Sequence, residues 1–281
     1  HSCIEEANKL DAIPKYHLSS HSRQYMDDDS DALRQDSLGR LISLLESIDG
    51  SKVTLIGDTM LDRYHHGFAN NLNSTAPVPV LKILDSEESP GASAHIAIGL
   101  TSFGMDVSFH TAIGDDAEAS SIASSLKSKD IRLENIIRVE DWPTLTKIRF
   151  FASRESLLDR RQILLQADRG PNEALDEAVS SSLTDSALSN IPDSCALVIS
   201  DYDKGVVTKD GAQILINAAK SSGIPAIVDP KLTGLEKSRG ATVVIFEKRG
   251  MSLLARRIGL NDDDAAKHLL EEYSWQGILV L

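Results

Sequence analysis

The strongest constraint on this chain is a repeated unit: a short apolar run that ends in a polar turn and is followed by a stretch of helical periodicity. The runs Val53–Ile56, Val107–Ala112, Cys195–Ser200, Ala226–Val228, Ala241–Phe246 and Ile278–Leu281 have strand length. Ser93–Phe103, Ala117–Lys127, Glu173–Leu188, Lys209–Ser221 and Asp262–Tyr273 carry apolar residues at helical spacing. Continuous apolar strands are covered on both faces, and parallel neighbours need a crossover helix, so the pattern predicts an α/β fold with a largely parallel sheet. Open sheets of this kind bind ligands beyond the carboxyl ends of their strands, which makes the polar residues after each run the candidates for chemistry.

Two stretches break the rhythm. Pro77–Leu84 and Thr144–Ala152 are β-branched or alternating, Ile163–Ala167 is a third of the same kind, and none is followed by a crossover helix. They predict a small accessory sheet, either a lid over a site or an edge extension. At the other end, His1 to about Ala32 is polar, carries the acidic run Asp27–Asp29 and reads as a tail or linker. From Leu33 the residues Leu38, Leu41, Ile42, Leu44, Leu45 and Ile48 recur at helical spacing until Asp49-Gly50. Residues 1–33 are thus an extension and 34–281 the main domain, with lid segments near 67–85 and 143–168.

Charge and cysteine usage narrow the function. Lys and Arg number 29 against 42 Asp and Glu, a net charge of −13 that repels phosphate backbones and anionic lipid, so neither nucleic acid nor membrane is an expected partner. An anionic ligand would need cations concentrated locally. No apolar run is long enough to span a bilayer, and His1–Ser30 has no signal-peptide core. Cys3 and Cys195 are too few for a disulfide framework or a thiolate metal site, which makes the cytoplasm the default compartment.

The usual nucleotide signatures are missing: no Gly-x-Gly-x-x-Gly follows a strand and no Gly-Lys-Ser/Thr loop is present. His65-His66 are adjacent instead of one helical turn apart, and His95, His110 and His268 are isolated, so no metal site is specified. What remains lies at strand ends. Asp58 and Asp62 follow the first strand, where carboxylates either accept hydrogen bonds from sugar hydroxyls or cap helices. The small residues around Gly91 enter a helix and serve close approach to a ligand or tight packing. Asp201 with Lys204, and Asp229 with Lys231, again place charge just past buried strands. Lys147 and Arg149, two apart on a strand, share a face and can hold a phosphate.

Taken in order, the segments GDTMLDRYHHG (Gly57–Gly67), APVPVLKI (Ala76–Ile83), SPGASAHIA (Ser89–Ala97), PTLTKIR (Pro143–Arg149), SDYDKG (Ser200–Gly205) and VDPK (Val228–Lys231) resemble the PfkB/ribokinase superfamily of carbohydrate kinases, and within it the heptose-phosphate kinase branch. The likeness runs from about Leu38 to Leu281. It implies a ribokinase-like three-layer fold whose β lid often serves dimerisation. It also implies ATP and Mg²⁺ as cofactors and a small sugar phosphate, D-glycero-D-manno-heptose 7-phosphate in that branch, as acceptor for in-line phosphoryl transfer. By the same likeness Asp62 matches the family's sugar-hydroxyl aspartate, Gly91 the first glycine of its Gly-Gly sugar segment, and Lys147 and Arg149 its lid. Asp201, Lys204, Asp229 and Lys231 match its strand-end motifs near the transferred phosphate. A nucleotidyltransferase domain fused to either end is a further implication of the branch.

Departures from the family accompany the likeness. Its Gly-Gly-Ala-Ala-Asn reads Gly91-Ala92-Ser93-Ala94-His95, so a methyl stands at the second glycine and an imidazole, His95, replaces the amide. Its Asn-x-x-Glu motif, which helps place Mg²⁺ and phosphate, reads Glu247-Lys248-Arg249-Gly250. Its Gly-Ala-Gly-Asp segment, source of the anion hole and catalytic aspartate, does not occur in residues 1–281, so no catalytic base is assigned. The bare strand Ile278–Leu281 has no covering helix after it, which predicts a sequence cut from a longer polypeptide and nearly inert as it stands. The rival expectation is a non-catalytic relative that binds sugar phosphate or serves as an assembly subunit.

Overall fold

The computed structural model describes residues 28–153 and 162–281, with side chains described from Asp36 onward. Cys3, the tail up to residue 27 and lid residues 154–161, all touched by the sequence reading, lie outside the described residues. Helix α1, Asp28–Ile48, belongs to a first unit, residues 1–47. It begins earlier than expected: Asp28 and Asp29, read as tail, lie within it.

The second unit, residues 48–281, holds two sheets. Its elements in chain order are β1 (Lys52–Gly57), β2 (Thr59–Leu72), β3 (Pro79–Ala92), α2 (Ser93–Ser102), β4 (Asp106–Gly114), α3 (Ala117–Lys127), β5 (Ile136–Val139), β6 (Thr146–Ser153), β7 (Gln162–Arg169), α4 (Glu177–Asn190), β8 (Ala196–Ser200), α5 (Lys209–Ser221), β9 (Ala226–Asp229), β10 (Val243–Phe246), α6 (Lys248–Ile258), α7 (Asp262–Tyr273) and β11 (Gly277–Val280). The large sheet has the order β11-β10-β9-β8-β1-β4-β5, and every pairing in it is parallel. Its strands feed two apolar clusters. Val53 and Leu55 of β1 pack with Ala97, Ile122 and Leu126 of α2 and α3, whereas Ile56 packs with Leu183, Leu215 and Leu254 of α4, α5 and α6. Alternate residues of one strand thus face opposite helical layers, the three-layer arrangement expected of buried parallel strands.

The second sheet, order β3-β2-β6-β7, is the lid. It is larger than its sequence signal: β2 and β3 each run 14 residues and pair antiparallel from Thr59–Ala92 outward, so Asp58 to Gly67, read as a strand-end turn, is mostly strand. An ion cluster anchors it to the body. Glu118 in the first turn of α3 accepts from Arg63 of β2 at 3.2 Å and from Arg169 of β7 at 3.0 Å, and Arg63 also meets Glu88 of β3 at 2.6 Å. Helix α6 was unforeseen: Lys248–Ile258 is rich in charge and buries only Met251, Leu254 and Ala255, a stripe one residue wide.

Asp58, expected at the sugar, is spent on the scaffold. It is 1% exposed, and its Oδ2 accepts the backbone N–H groups of Tyr202 at 2.8 Å and Lys204 at 3.1 Å while Oδ1 accepts that of Val206 at 3.2 Å. The end of β1 is thereby tied to the whole turn after β8. Burial pushes this carboxyl above the usual range and the three donors pull it back. Asp58→Asn offers an amide N–H where acceptors are needed, so it should cost roughly 2–4 kcal/mol in a urea unfolding curve. An unchanged midpoint would show that the turn is held by other means.

His110 on β4 is fully buried; its Nε2 meets Ser108 Oγ at 3.0 Å, and its Nδ1 has no partner among the described residues. Burial lowers its pKa from 6.5 to about 4. A depressed histidine binds its proton more readily when unfolded, so stability declines as pH falls below 6.5 and continues to decline until about 4. Between pH 7 and 4.5 that loss should be about 2 kcal/mol, and His110→Gln should flatten that part of the stability profile. An equally steep acid profile in the variant would assign the effect to other groups.

Candidate functional site

The expected site residues arrive on one rim by two routes. The lid supplies Asp62 on β2 and Lys147 and Arg149 on β6, because the parallel register sets Asp62 beside Lys147 and Tyr64 beside Arg149. These residues share a face, as a period of two requires. The body supplies Asp201 and Asp229: Ser200 of β8 pairs with Asp229 of β9, and the Asp201 N–H donates to the Asp229 carbonyl at 2.9 Å. Lys204 and Lys231 follow in the turns beyond.

Asp62 comes with a partner that the sequence reading kept separate. Arg149 Nη1 donates to its Oδ1 at 2.6 Å and to the Tyr64 hydroxyl at 3.3 Å, and the guanidinium lies 5.4 Å from the Tyr64 ring centroid. Arg149 is therefore less a free phosphate ligand than half of an ion pair, its own pKa raised by Asp62 against the opposing pull of burial. Gly91 explains itself here. A Cβ at this position would sit 2.2 Å from Asp62 Oδ2 and 3.0 Å from Met60 Cγ, so the missing side chain is what leaves room for the carboxylate. The next residue, Ala92, has φ 53 and ψ −130, a backbone conformation suited to glycine. Holding alanine there costs on the order of 1–3 kcal/mol. His95 lies exposed in the first turn of α2.

On the body side, burial raises the pKa of Asp201, and Lys237 opposes it by donating to Oδ1 at 3.0 Å. Lys237 also reaches Asp203 at 3.1 Å. Asp201 Oδ2 is buried without a partner among the described residues. Burial again, then the like charges of Glu247 and Asp201, raise Asp229. The sequence reading missed Lys237, Arg169 and Tyr202. Only Tyr202 lay inside a quoted segment; Arg169 ends β7, two residues past the run Ile163–Ala167 read from the sequence, and Lys237 lies in a helical turn between β9 and β10 that carried no signal.

Two adjoining hollows result. One, of about 440 Å³, is lined by Met60, Lys147, Arg169, Lys204 and Lys231 among others. The other, of about 380 Å³, has Asp201, Asp229, Glu247 and Phe246 on its walls, and Tyr202 and Lys231 border both. A hollow of about 360 Å³ around Ile224, Pro225 and Gly240 sits at the opposite strand ends and gathers no such charges. One hollow thus concentrates cations and the other carboxylates, and they meet at Tyr202. Among the described residues no three His, Cys, Asp or Glu gather closely enough to form a metal cage.

Residues 51–280 match the family described as pfkB family carbohydrate kinase. The chain is 32% identical over 238 residues to the bifunctional protein HldE of Shewanella piezotolerans, covering 84% of this chain and 47% of that protein. It is 36% identical over 196 residues to the bifunctional protein HldE of Actinobacillus pleuropneumoniae serotype 5b, covering 70% and 39%. It therefore spans about half the length of the curated relatives it matches. Among solved structures, the tetrameric inhibited form of phosphofructokinase-2 from Escherichia coli superposes with a TM-score of 0.62 at 19% identity, over 82% of this chain and 73% of that one. Arabidopsis thaliana ribokinase, complexed with ribose and ATP, gives 0.59 at 14% identity, over 82% and 72%. The latter two likenesses carry the ribokinase-type fold, which the parallel sheet and β lid already display. By the family match over most of its length, the chain belongs to the pfkB family of carbohydrate kinases.

Proposed function

We propose that this domain catalyses ATP-dependent phosphorylation of a sugar phosphate of the heptose 7-phosphate kind. The observation that carries this reading is the meeting of a lid carboxylate, Asp62, with lid and body cations on one rim. Asp62 and Arg149 form a ready-made pair, one acceptor and one fork of donors, across which adjacent sugar hydroxyls can bridge. Lys147, Lys204 and Lys231 supply the local positive field that an acidic chain must concentrate to hold phosphates. In-line transfer asks the protein mainly for positioning and charge neutralisation, and these residues can do both.

A divalent ion would neutralise the charge that builds on the transferring phosphoryl group. Mg²⁺ is commonly held by one or two carboxylates and the nucleotide's own phosphates. Asp229 and Glu247, which line the same hollow, fit that demand. No proton acceptor is assigned, because the family's Gly-Ala-Gly-Asp is not in residues 1–281. The double length of the relatives and their description as bifunctional favour the fused nucleotidyltransferase expected from the resemblance. The apolar residues exposed on the lid, among them Ile83, Leu84 and Leu165, favour dimerisation through it. A cytoplasmic setting suits a reaction that consumes ATP.

The second reading, a sugar-phosphate-binding or assembly subunit, is favoured by one observation: Ala92 keeps a glycine's backbone but adds a methyl, and His95 and the Glu247 segment differ from the family's side chains. A phosphoryl-transfer assay on the full-length protein with heptose 7-phosphate, fructose 6-phosphate and ribose separates the two. Turnover is expected with the heptose phosphate, and residues 1–281 alone should run about 10²–10⁴-fold slower for want of a positioned base. Gly91→Ala should push Asp62 aside and raise the acceptor KM about tenfold with little change in melting temperature. Binding of the sugar phosphate without turnover on any acceptor would select the second reading.

A further inference from the structure

Tyr202 stands where the two hollows meet, and two ammonium groups approach its ring. Lys147 Nζ, from lid strand β6, lies 5.6 Å from the ring centroid, and Lys231 Nζ, from the turn after β9, lies 5.8 Å from it. Both are within the roughly 6 Å at which the negative face of an aromatic ring attracts a cation. Among the described residues neither lysine makes an ion pair, although Asp168 and Asp203 line the same hollow and Asp229 lies close enough to feel Lys231. Two lysines that make no ion pair among the described residues thus approach one ring, in a chain of net charge −13, where an incoming anion can accept from both. The hollow they line with Lys204 and Arg169 has the room, about 440 Å³, for a phosphoryl group and more.

We propose that Tyr202 is a positioning residue, whose ring holds Lys147 of the lid and Lys231 of the body as the two prongs of a clamp for one phosphoryl group. A lysine loses rotamer freedom when fixed, so a ring that gathers both ammoniums in advance removes part of that cost from the binding step. Because one prong is on the lid and the other on the body, the same ring couples anion binding to the lid's position over the sheet. The surroundings place the ring centrally: burial, and then Asp229, Asp62 and Glu247, push the Tyr202 hydroxyl's ionisation upward, so it lies between the sugar-side and phosphate-side carboxylates. Whose phosphate is clamped, acceptor's or nucleotide's, rests on the kinase reading; the anion site does not.

The test is calorimetric titration of full-length protein with inorganic phosphate, ATP and fructose 6-phosphate, on the parent, Tyr202→Phe and Tyr202→Leu. The ring without its hydroxyl should keep phosphate affinity within about twofold, and leucine should lower it about tenfold at low salt, less at high salt. Lys147→Gln should weaken binding in the parent and barely further in the leucine variant. If the leucine variant fails to fold, Lys147→Gln and Lys231→Gln should still combine to less than the sum of their separate effects. A deficit confined to ATP assigns the clamp to the nucleotide, and one confined to fructose 6-phosphate assigns it to the acceptor. Parent-like affinity in the leucine variant, equal loss in phenylalanine and leucine, additive lysine effects, or a parent that binds no phosphate would overturn the clamp. Turnover in the phosphoryl-transfer assay would leave the kinase reading standing in each of those cases.

Discussion

The Asp58 carboxylate, closed off from solvent and fixed to three backbone N–H groups of a single turn, at 202, 204 and 206, is the interaction from which the site's geometry follows. A strand end in a parallel sheet leaves its next residues free to wander, since their backbone groups have no ladder to join. Here the turn after β8 satisfies its N–H groups on the side chain that directly follows β1, and that fixes Tyr202 and Lys204 at the carboxyl edge. Burying a carboxylate is costly unless it is well supplied with donors, and three backbone donors offset much of that cost. The same residue's carbonyl accepts from the Ser93 N–H at 3.1 Å and the Ser93 hydroxyl at 2.7 Å, which sets the start of α2. Lid, helix and strand-end turn are thus referred to one point.

Electrostatics then divides the rim. The chain is strongly acidic, yet around the site Lys147, Arg149, Arg169, Lys204, Lys231 and Lys237 stand among the carboxylates. Some of these cations are already committed, Arg149 to Asp62 and Lys237 to Asp201, and Lys237 opposes the burial that favours the neutral form of Asp201. Arg169 is held by Glu118, whereas Lys147, Lys204 and Lys231 make no ion pair among the described residues. A sequence-level count of charges cannot separate the two kinds, because pairing is decided by register and by turns distant in sequence.

That division also marks how far the sequence could be read. The βα rhythm was legible because buried parallel strands are apolar at every position, and the parallel sheet came out as expected from it. The strand-end positions of Asp201 and Asp229 were legible for the same reason. β2 was not: TMLDRYHHGFANNL mixes polar and apolar residues because one lid face meets the site and the other meets solvent, so neither period stands out. Helix α6 hid behind its charges, with Met251, Leu254 and Ala255 alone turned to the core. Asp58 and Asp62, four residues apart and alike on paper, took opposite roles because one precedes the bend into the lid and faces the body, while the other lies beyond it.

Ala92 shows how tightly that bend is specified. Its positive φ would ordinarily be relieved by a small backbone shift, since alanine gains on the order of 1–3 kcal/mol by leaving that region. Each neighbour forbids the shift. Thr59 and Ala92 are ladder partners, Ser93 is bound through both its N–H and its hydroxyl to the Asp58 carbonyl, and the Ser93 hydroxyl also meets Thr59 Oγ1 at 2.9 Å. Moving residue 92 would break several buried hydrogen bonds at about 1 kcal/mol each or more, which outweighs the strain. The glycine geometry therefore survives the loss of the glycine, and with it the opening at Gly91 through which Asp62 keeps its place. A fold that holds this junction against its own local preference has the position of Asp62 set by the scaffold, through Thr59, Ser93 and the space left at Gly91.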